Sequence, residues 1–345
     1  MSDRLPVLAL TQGDPAGIGP EILLKVLAEG APTPWHPLLV AERSALEPLR
    51  PVLPALIWDR LRFLAAPPSR EELVTLDGVA VVDPVGERRT LTFGSSGAAD
   101  AAGAMAALDL GIDLVQSGAA DALVTAPVAK ASIARHVRPD FRGHTEYLAE
   151  RCGLTRYGRD YLMAFLAPDL QVALLTVHVP LREAVETLNG QAVVEALACL
   201  DRHAGGRIAL AGLNPHAGED GLLGSEEAEI LAPAVAAARE RGIDVRGPES
   251  ADSLFARARQ GELDWVLALY HDQGLVAVKT AAFGLATNWT LGLPFLRTSV
   301  DHGTAFGIAG QGKADPSSLK AVIETTLELL AGTLPRSRYG RRMPR

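Results

Sequence analysis

The sequence predicts an α/β fold built on largely parallel sheets, and three observations point to it. Short apolar runs recur along the chain, as buried strands do. Longer alanine- and leucine-rich segments with apolar residues at helical spacing separate those runs. Several runs also stop abruptly in a turn carrying histidine or glycine, the expected ending of a parallel strand beside a ligand. The runs are "PVLAL", "PLLVA", "VAVVD" and "ALVTA" within residues 1–130, then "QVALLTVH", "RIALAGLN" and "WVLALYH". Helical patterns fall in "SGAADAAGAMAALDLGIDLVQSG", ending at Gly118, in "QAVVEALACLDRHAGG", and in "SEEAEILAPAVAAARERG". The last helix is "PSSLKAVIETTLELLAG", with Pro316 at its first turn. A chain of 345 residues exceeds what one hydrophobic core usually organises, so two domains are expected.

Composition narrows the class of partner. With 48% hydrophobic residues and no low-complexity tract, the chain is a folded globular protein. A net charge of -8 argues against nucleic acid as the main partner, because a phosphate backbone demands a basic face. The arginine-rich tail "PRSRYGRRMPR" is the local exception and reads as a solvated end. Cys152 and Cys199 lack CxxC spacing, which excludes a disulfide scaffold or a cysteine-based zinc site and fits a reducing compartment. The start "MSDRLPVLAL" is not patterned as a signal peptide, and no apolar stretch is long enough for a bilayer. A soluble, cytoplasmic protein with no membrane partner is the expectation.

Three of the eight histidines sit just beyond the end of an apolar run: His178 after "ALLTV", His216 after "IALAGLNP", and His271 after "WVLALY". Taken singly, each is a hydrogen-bonded turn residue by default. Three imidazoles brought to one sheet edge make a divalent-metal site, with positions left open for substrate. Glu219, Asp252 and Asp272 add carboxylates that would serve as ligands or as orienting partners. His36, His136 and His203 have no supporting context. His144 sits in a glycine turn before a helix that Thr145 would cap.

"LALTQGDPAGIGPEILLKVL" reads as strand, glycine-rich turn and helix; it is neither GxGxxG nor a Walker loop, and a tight turn explains it equally well. "VDHGTAFGIAGQGKADP", residues 300–316, has four glycines and Lys313 ahead of a helix, which makes it the alternative cofactor loop. Lys279, Asn288 and Arg297 stand in otherwise apolar surroundings; lysines there usually snorkel to the surface, but near a metal the two cations would hold a carboxylate or phosphate. Lys130 follows a buried run, as a solvated helix-start lysine or as a functional group.

"GDPAGIGPEI", "FRGHTEYLAER", "GLNPHAGEDGLLGSEE", "YHDQGL" and "NWTLGLPFLRTSVDHGTA", in this order, resemble the 4-hydroxythreonine-4-phosphate dehydrogenase family of pyridoxal phosphate (vitamin B6) biosynthesis, from the first strand to about Asp315. The loop at 300–316 is similar to the cofactor loop of isocitrate and isopropylmalate dehydrogenases, whose fold the family shares. The resemblance implies two α/β domains around a central cleft: residues 1–140 with 298–345 carrying the cofactor loop, and residues 141–297 carrying metal ligands and dimer contacts. It implies a homodimer with the active site at the subunit interface.

His178, His216 and His271 would bind one divalent metal per subunit (zinc, magnesium, manganese or cobalt), with Asp252 nearby and reaching across the dimer. His144, Thr145, Lys279, Asn288 and Arg297 match the substrate-binding positions. His302, Gly303, Thr304, Ala305, Gly310, Gly312 and Lys313 would bind NAD or NADP. The implied reaction is a decarboxylating dehydrogenation: oxidation of 4-phosphooxy-L-threonine and loss of CO2 to give 3-amino-2-oxopropyl phosphate. The general base is open between Lys130, Asp272 and a metal-bound hydroxide.

Trp289, Ala129 and the lead-in "TAAFGLAT" depart from the family pattern, which places substrate identity in question. The alternatives are the same chemistry on a phosphorylated sugar acid, such as 4-phospho-D-threonate or 4-phospho-D-erythronate, or on a cis-dihydrodiol carboxylate. A metal-dependent hydrolase would leave the 300–316 loop unexplained, and a non-enzymatic binding module would have no use for an open metal site beside fixed cations.

Overall fold

The computed structural model describes residues 4–30 and 33–333. The arginine-rich tail lies outside the described residues. In chain order the strands are β1 (Val7–Thr11), β2 (His36–Val40), β3 (Leu61–Leu64), β4 (Val79–Val82), β5 (Ala122–Thr125) and β6 (Leu162–Ala167). They continue with β7 (Leu170–Leu174), β8 (Ile208–Ala211), β9 (Val245–Glu249), β10 (Trp265–Ala268), β11 (Thr287–Leu291) and β12 (Leu296–Ser299). The chain forms two compact units: one extends to Leu148 and resumes at Pro294, and the other is Ala149–Leu293. His144, Thr145 and Arg297 therefore belong to the first unit.

In the first unit the strand order is β3-β4-β2-β1-β5-β12, and every neighbouring pair is parallel. Parallel strands need long crossovers, and the helices Gly19–Glu29 and Ala98–Gln116 supply two of them. Both faces of β1 and β4 are covered, so these strands read as unbroken apolar runs rather than alternating ones. Leu8, Leu10, Ile22, Leu39, Val81, Val124 and Val322 belong to the core of this unit.

The second unit has the order β11-β6-β7-β10-β8-β9. β7, β10, β8 and β9 are parallel, whereas β6 pairs antiparallel with both β7 and β11. β6 and β7 form a hairpin around Pro168 and Asp169; the run "QVALLTVH" covers β7, while β6 is not among the strands expected from the sequence. Strand β9, "VRGPE", has no apolar run at all, so periodicity passes over it. The segment predicted as one helix, residues 225–242, is in two pieces: a wide turn over Glu227–Leu231, then the helix Ala232–Glu240. Among the described residues no helix is long and apolar enough to cross a membrane.

Candidate active site

In the second unit the three predicted histidines follow β7, β8 and β10, which are neighbours in the sheet with β10 in the middle. Two side chains tie the carboxyl ends of these strands together. The Thr176 hydroxyl donates to the Leu269 carbonyl at 2.8 Å. Gln273 accepts from the Leu269 N–H at 2.7 Å and donates to the Gly212 carbonyl at 2.7 Å. His271 opens the helix His271–Ala282, and Gly274 lets that helix approach the sheet: a Cβ there would lie 2.7 Å from a Leu174 methyl. The rings of His178 and His271 stand 5.8 Å apart between centroids. His271 Nδ1 is 2.7 Å from Asp272 Oδ1, an arrangement that places the proton on Nδ1 and leaves Nε2 as the free lone pair.

His216 lies on a turn that winds left-handed from His216 to Asp220. Its charge helps to hold Asp252 below the ordinary carboxylate value, after the larger effect of the Ser250 hydroxyl, which bonds Asp252 Oδ1 at 2.7 Å. Among the described residues, however, no three His, Cys, Asp or Glu side chains converge on one point as a metal-ligating group. The fold thus brings His178 and His271 together, and leaves His216 and Asp252 as a separate neighbouring pair. The donor chemistry still suits a divalent ion, because imidazoles sharing one tetrahedral ion have ring centroids about 5 Å apart, given metal–nitrogen distances near 2.0–2.1 Å.

Lys279 lies two turns along the helix from His271, half-buried. Asn288, in β11, presents a buried Oδ1 with no hydrogen-bond donor among the described residues, an acceptor that a ligand hydroxyl or ammonium would satisfy. Trp289 is its strand neighbour and therefore points to the opposite face. There its ring packs against buried Trp265, with centroids 6.2 Å apart. Trp289 is a packing residue on the far side of the strand from Asn288, so its departure from the family pattern is accounted for by packing against Trp265. Replacing Trp289 by leucine should cost stability, about 1–2 kcal/mol for a partly exposed large-to-small change, and leave substrate preference unaltered. Comparing kcat/KM for two hydroxy acids in both proteins checks this, and a changed ratio would contradict it.

The first unit gathers cations. Arg297, on β12, is 1% exposed and donates from Nη2 to Thr125 Oγ1 at 2.6 Å. Burial pushes its guanidinium down to about 9, against the raising effect of Glu146, so it remains a cation at neutral pH. Lys130 opens the helix Lys130–His136, and its Nζ lies over Gly143: a Cβ there would be 3.2 Å from that nitrogen. His144 opens the next helix, His144–Arg151. Desolvation above all, then the charges of Arg297 and Lys130, hold the His144 imidazole well below 6.5. A neutral imidazole, two cations and the buried Thr145 could together meet an anion, with the Glu146 carboxylate as a counter-charge close to both cations.

The 300–316 loop belongs to the same unit and is held by the helix Gly19–Glu29. Buried Glu21 accepts from the N–H groups of Gly312 at 3.2 Å and Ala314 at 2.8 Å. Lys25 donates to the carbonyls of the same two residues at 2.8 and 2.6 Å. Lys313, between them, bonds Gln311 at 3.0 Å. Ala305 has φ 43°, and a Cβ added at Gly303 or Gly307 would meet open space, so these two positions are not enclosed by the protein's own atoms. His302 Nδ1 is 3.0 Å from the Gly303 carbonyl, and the Thr304 carbonyl accepts from Ile18 N–H at 3.0 Å. The glycine-rich turn after β1 is thereby explained as close packing: Gly13 has φ 69°, and a Cβ on it would lie 2.3 Å from the Pro127 carbonyl oxygen.

Asp14, in that turn, was missed by the sequence reading. Its only local signal is a carboxylate at the carboxyl end of an apolar strand, one residue after a glycine. Burial raises its carboxyl above the ordinary 3.8: Oδ1 accepts from the Ala16 N–H at 3.0 Å, while Oδ2 is buried with no donor among the described residues. At low pH the group is neutral in folded and unfolded chains alike. As pH rises through 3.8 the unfolded chain loses its proton first, and the wild type loses stability until the raised folded value is passed. Asp14→Asn should therefore melt above the wild type at pH 7, with the difference vanishing on acidification below 3.8. Equal midpoints in calorimetry at neutral pH would contradict this.

A glycine-rich loop and a cation group in one unit, and paired imidazoles at a parallel-sheet edge in the other, fit an α/β oxidoreductase of the dehydrogenase class. Comparison with known proteins agrees. The model of the pyridoxal phosphate biosynthetic protein PdxA family matches residues 36–326, and the chain belongs to that family. It is similar to the 4-hydroxythreonine-4-phosphate dehydrogenase of Burkholderia vietnamiensis, with 41% identity over 332 residues, 93% of this chain and 96% of that protein. The crystal structure of the same-named enzyme from Klebsiella pneumoniae aligns with TM-score 0.80 and 37% identity, covering 94% of this chain and 99% of that one. A terephthalate 1,2-cis-dihydrodiol dehydrogenase from Burkholderia xenovorans aligns with TM-score 0.62 and 26% identity, covering 96% and 99%.

Proposed function

We propose that this protein oxidises the secondary hydroxyl of 4-phosphooxy-L-threonine, with loss of CO2 to give 3-amino-2-oxopropyl phosphate, in the oxidative step of pyridoxal 5'-phosphate biosynthesis. The observation that carries the reading is the anion group formed by Arg297, Lys130, His144 and Thr145, which suits a phosphorylated substrate better than a neutral one. The names of the relatives at about 40% identity support the same substrate class. Residues His302, Gly303, Thr304, Ala305, Gly310, Gly312 and Lys313 would hold NAD or NADP, which accepts the hydride when bound. His178, His216 and His271, with Asp252, would hold a divalent ion, which supplies Lewis acidity toward the substrate oxygens. Working as a cytoplasmic homodimer belongs to the same proposal.

The chain's own groups take definite parts. Arg297 Nη1 and Nη2 and the His144 ring bind an anionic end of the substrate, and Lys279 binds the other. Asn288 Oδ1 accepts from the substrate hydroxyl or ammonium and so fixes which face is presented. Asp272 Oδ1 holds the His271 proton at Nδ1, so it serves as an orienting partner. That leaves Lys130, of the two candidate side chains, and as an ammonium in the anion group its Nζ would supply a proton to the substrate rather than take one.

The dihydrodiol alternative gains nothing from Trp289, which faces Trp265. Cofactor reduction measured with 4-phosphooxy-L-threonine, 4-phospho-D-erythronate and a cis-dihydrodiol carboxylate tests the reading. The expected order puts 4-phosphooxy-L-threonine first by kcat/KM. Preference for the unphosphorylated dihydrodiol would overturn the reading.

A further inference from the structure

His216 occupies the most strained backbone in the described chain. His216, Ala217, Glu219 and Asp220 have φ of 53°, 53°, 44° and 54°, with Gly218 at 85° between them. L-residues visit this region singly, because Cβ crowds the following carbonyl. A run of such residues persists only where the surroundings over-determine it, and strain of this kind gathers at functional sites.

One buried carboxylate does the over-determining. Glu227 is 5% exposed, and its Oε1 accepts the N–H groups of Leu213 at 2.8 Å and Asn214 at 2.7 Å. Its Oε2 accepts from Asn214 Nδ2 at 2.8 Å, and Glu226 Oε2 accepts from that same nitrogen at 2.7 Å. The turn closes directly over this group: a Cβ on Gly218 would lie 2.9 Å from Glu227 Oε2. The wide helical turn Glu227–Leu231, an uncommon form enriched at functional sites, starts at this residue.

We propose that Glu227 is a positioning residue for His216: its carboxylate fixes the left-handed turn, and through it the imidazole that completes the metal-ligand set. The inference rests on the reading of His216 as a ligand. Glutamine at 227 keeps the size and can still accept the two backbone N–H groups, but its Nε2 would face Asn214 Nδ2, donor against donor. Asn214 cannot relieve this by turning its amide, since its oxygen would then meet the Glu226 carboxylate.

The test titrates Zn2+ into the full-length, metal-stripped protein in competition with a chromophoric chelator, for wild type, His216→Ala and Glu227→Gln. Glu227→Gln is expected to raise the Kd about 10- to 100-fold, the range for groups that orient metal ligands, with the far-ultraviolet circular dichroism unchanged. Its kcat should return toward the wild-type value at saturating Zn2+, which a merely structural role would not produce. If Glu227→Gln fails to fold, Asn214→Ala, which removes the amide bridging the two carboxylates, should give a smaller loss in the same direction. A Kd within twofold of wild type for the folded variant, alongside a weakened His216→Ala, overturns the positioning role and leaves the ligand reading standing. Wild-type affinity in His216→Ala overturns both.

Discussion

Arg297→Met should leave the protein as stable as the wild type, or more so, while kcat/KM falls by about 10^3-fold, corresponding to roughly 4 kcal/mol of lost transition-state binding. The two effects separate because the guanidinium is fully buried and its burial opposes its own charge. An apolar side chain of similar length removes that desolvation penalty and keeps the packing, which offsets the partner that Thr125 Oγ1 and the Glu146 charge lose. On the proposed reading, however, the substrate's anionic end would lose a charged partner. Arg297→Lys keeps the charge without the planar fork, so its loss should be intermediate. Thermal midpoints and steady-state kinetics on the three proteins decide the matter. A variant that is active and unstable would show that Arg297 is structural, held for its contacts within the unit, the bond to Thr125 among them.

His178→Ala is the second large effect. Removing one of the paired imidazoles should lower turnover by at least about 10^3-fold, since Lewis-acid assistance is worth several kcal/mol. The protein should also retain less metal after dialysis. The fold should survive, because His178 lies in the loop beyond β7 rather than in the core of the unit. His271→Ala should behave alike, and Asp272→Asn should give a milder loss of about 10- to 100-fold, as expected of a group that orients a ligand. Metal content by mass spectrometry and kcat on the same samples check the series. Unchanged metal content in His178→Ala would contradict the assignment.

The elements that carry these groups were largely legible in the sequence, for a physical reason. A strand buried on both faces must be a continuous apolar run, so β1, β4, β5, β8 and β10 announce themselves. The histidines stand out because each interrupts such a run at its end. What stayed hidden depends on direction or distance. The pleat of β11 sets Asn288 and Trp289 on opposite faces, and counting by twos would have assigned Trp289 to packing at once. Periodicity was no help at β9, or at the hairpin of β6 and β7.

The left-handed turn at His216 has even less of a local signature, since four of its five residues are not glycine. It exists because Glu227, many residues further on, supplies acceptors for Leu213 and Asn214. Arg297 and Asp14 belong to the same class. Each is an ionisable residue in an apolar stretch, and only tertiary contacts show that it is buried rather than turned to solvent.

Production of reduced nicotinamide from 4-phosphooxy-L-threonine, followed with and without a chelator, tests the central claim most directly. The account predicts turnover that the chelator stops and an added divalent ion restores, with one CO2 released per hydride transferred. Full activity in chelator, or oxidation of the substrate with its carboxylate retained, would contradict it.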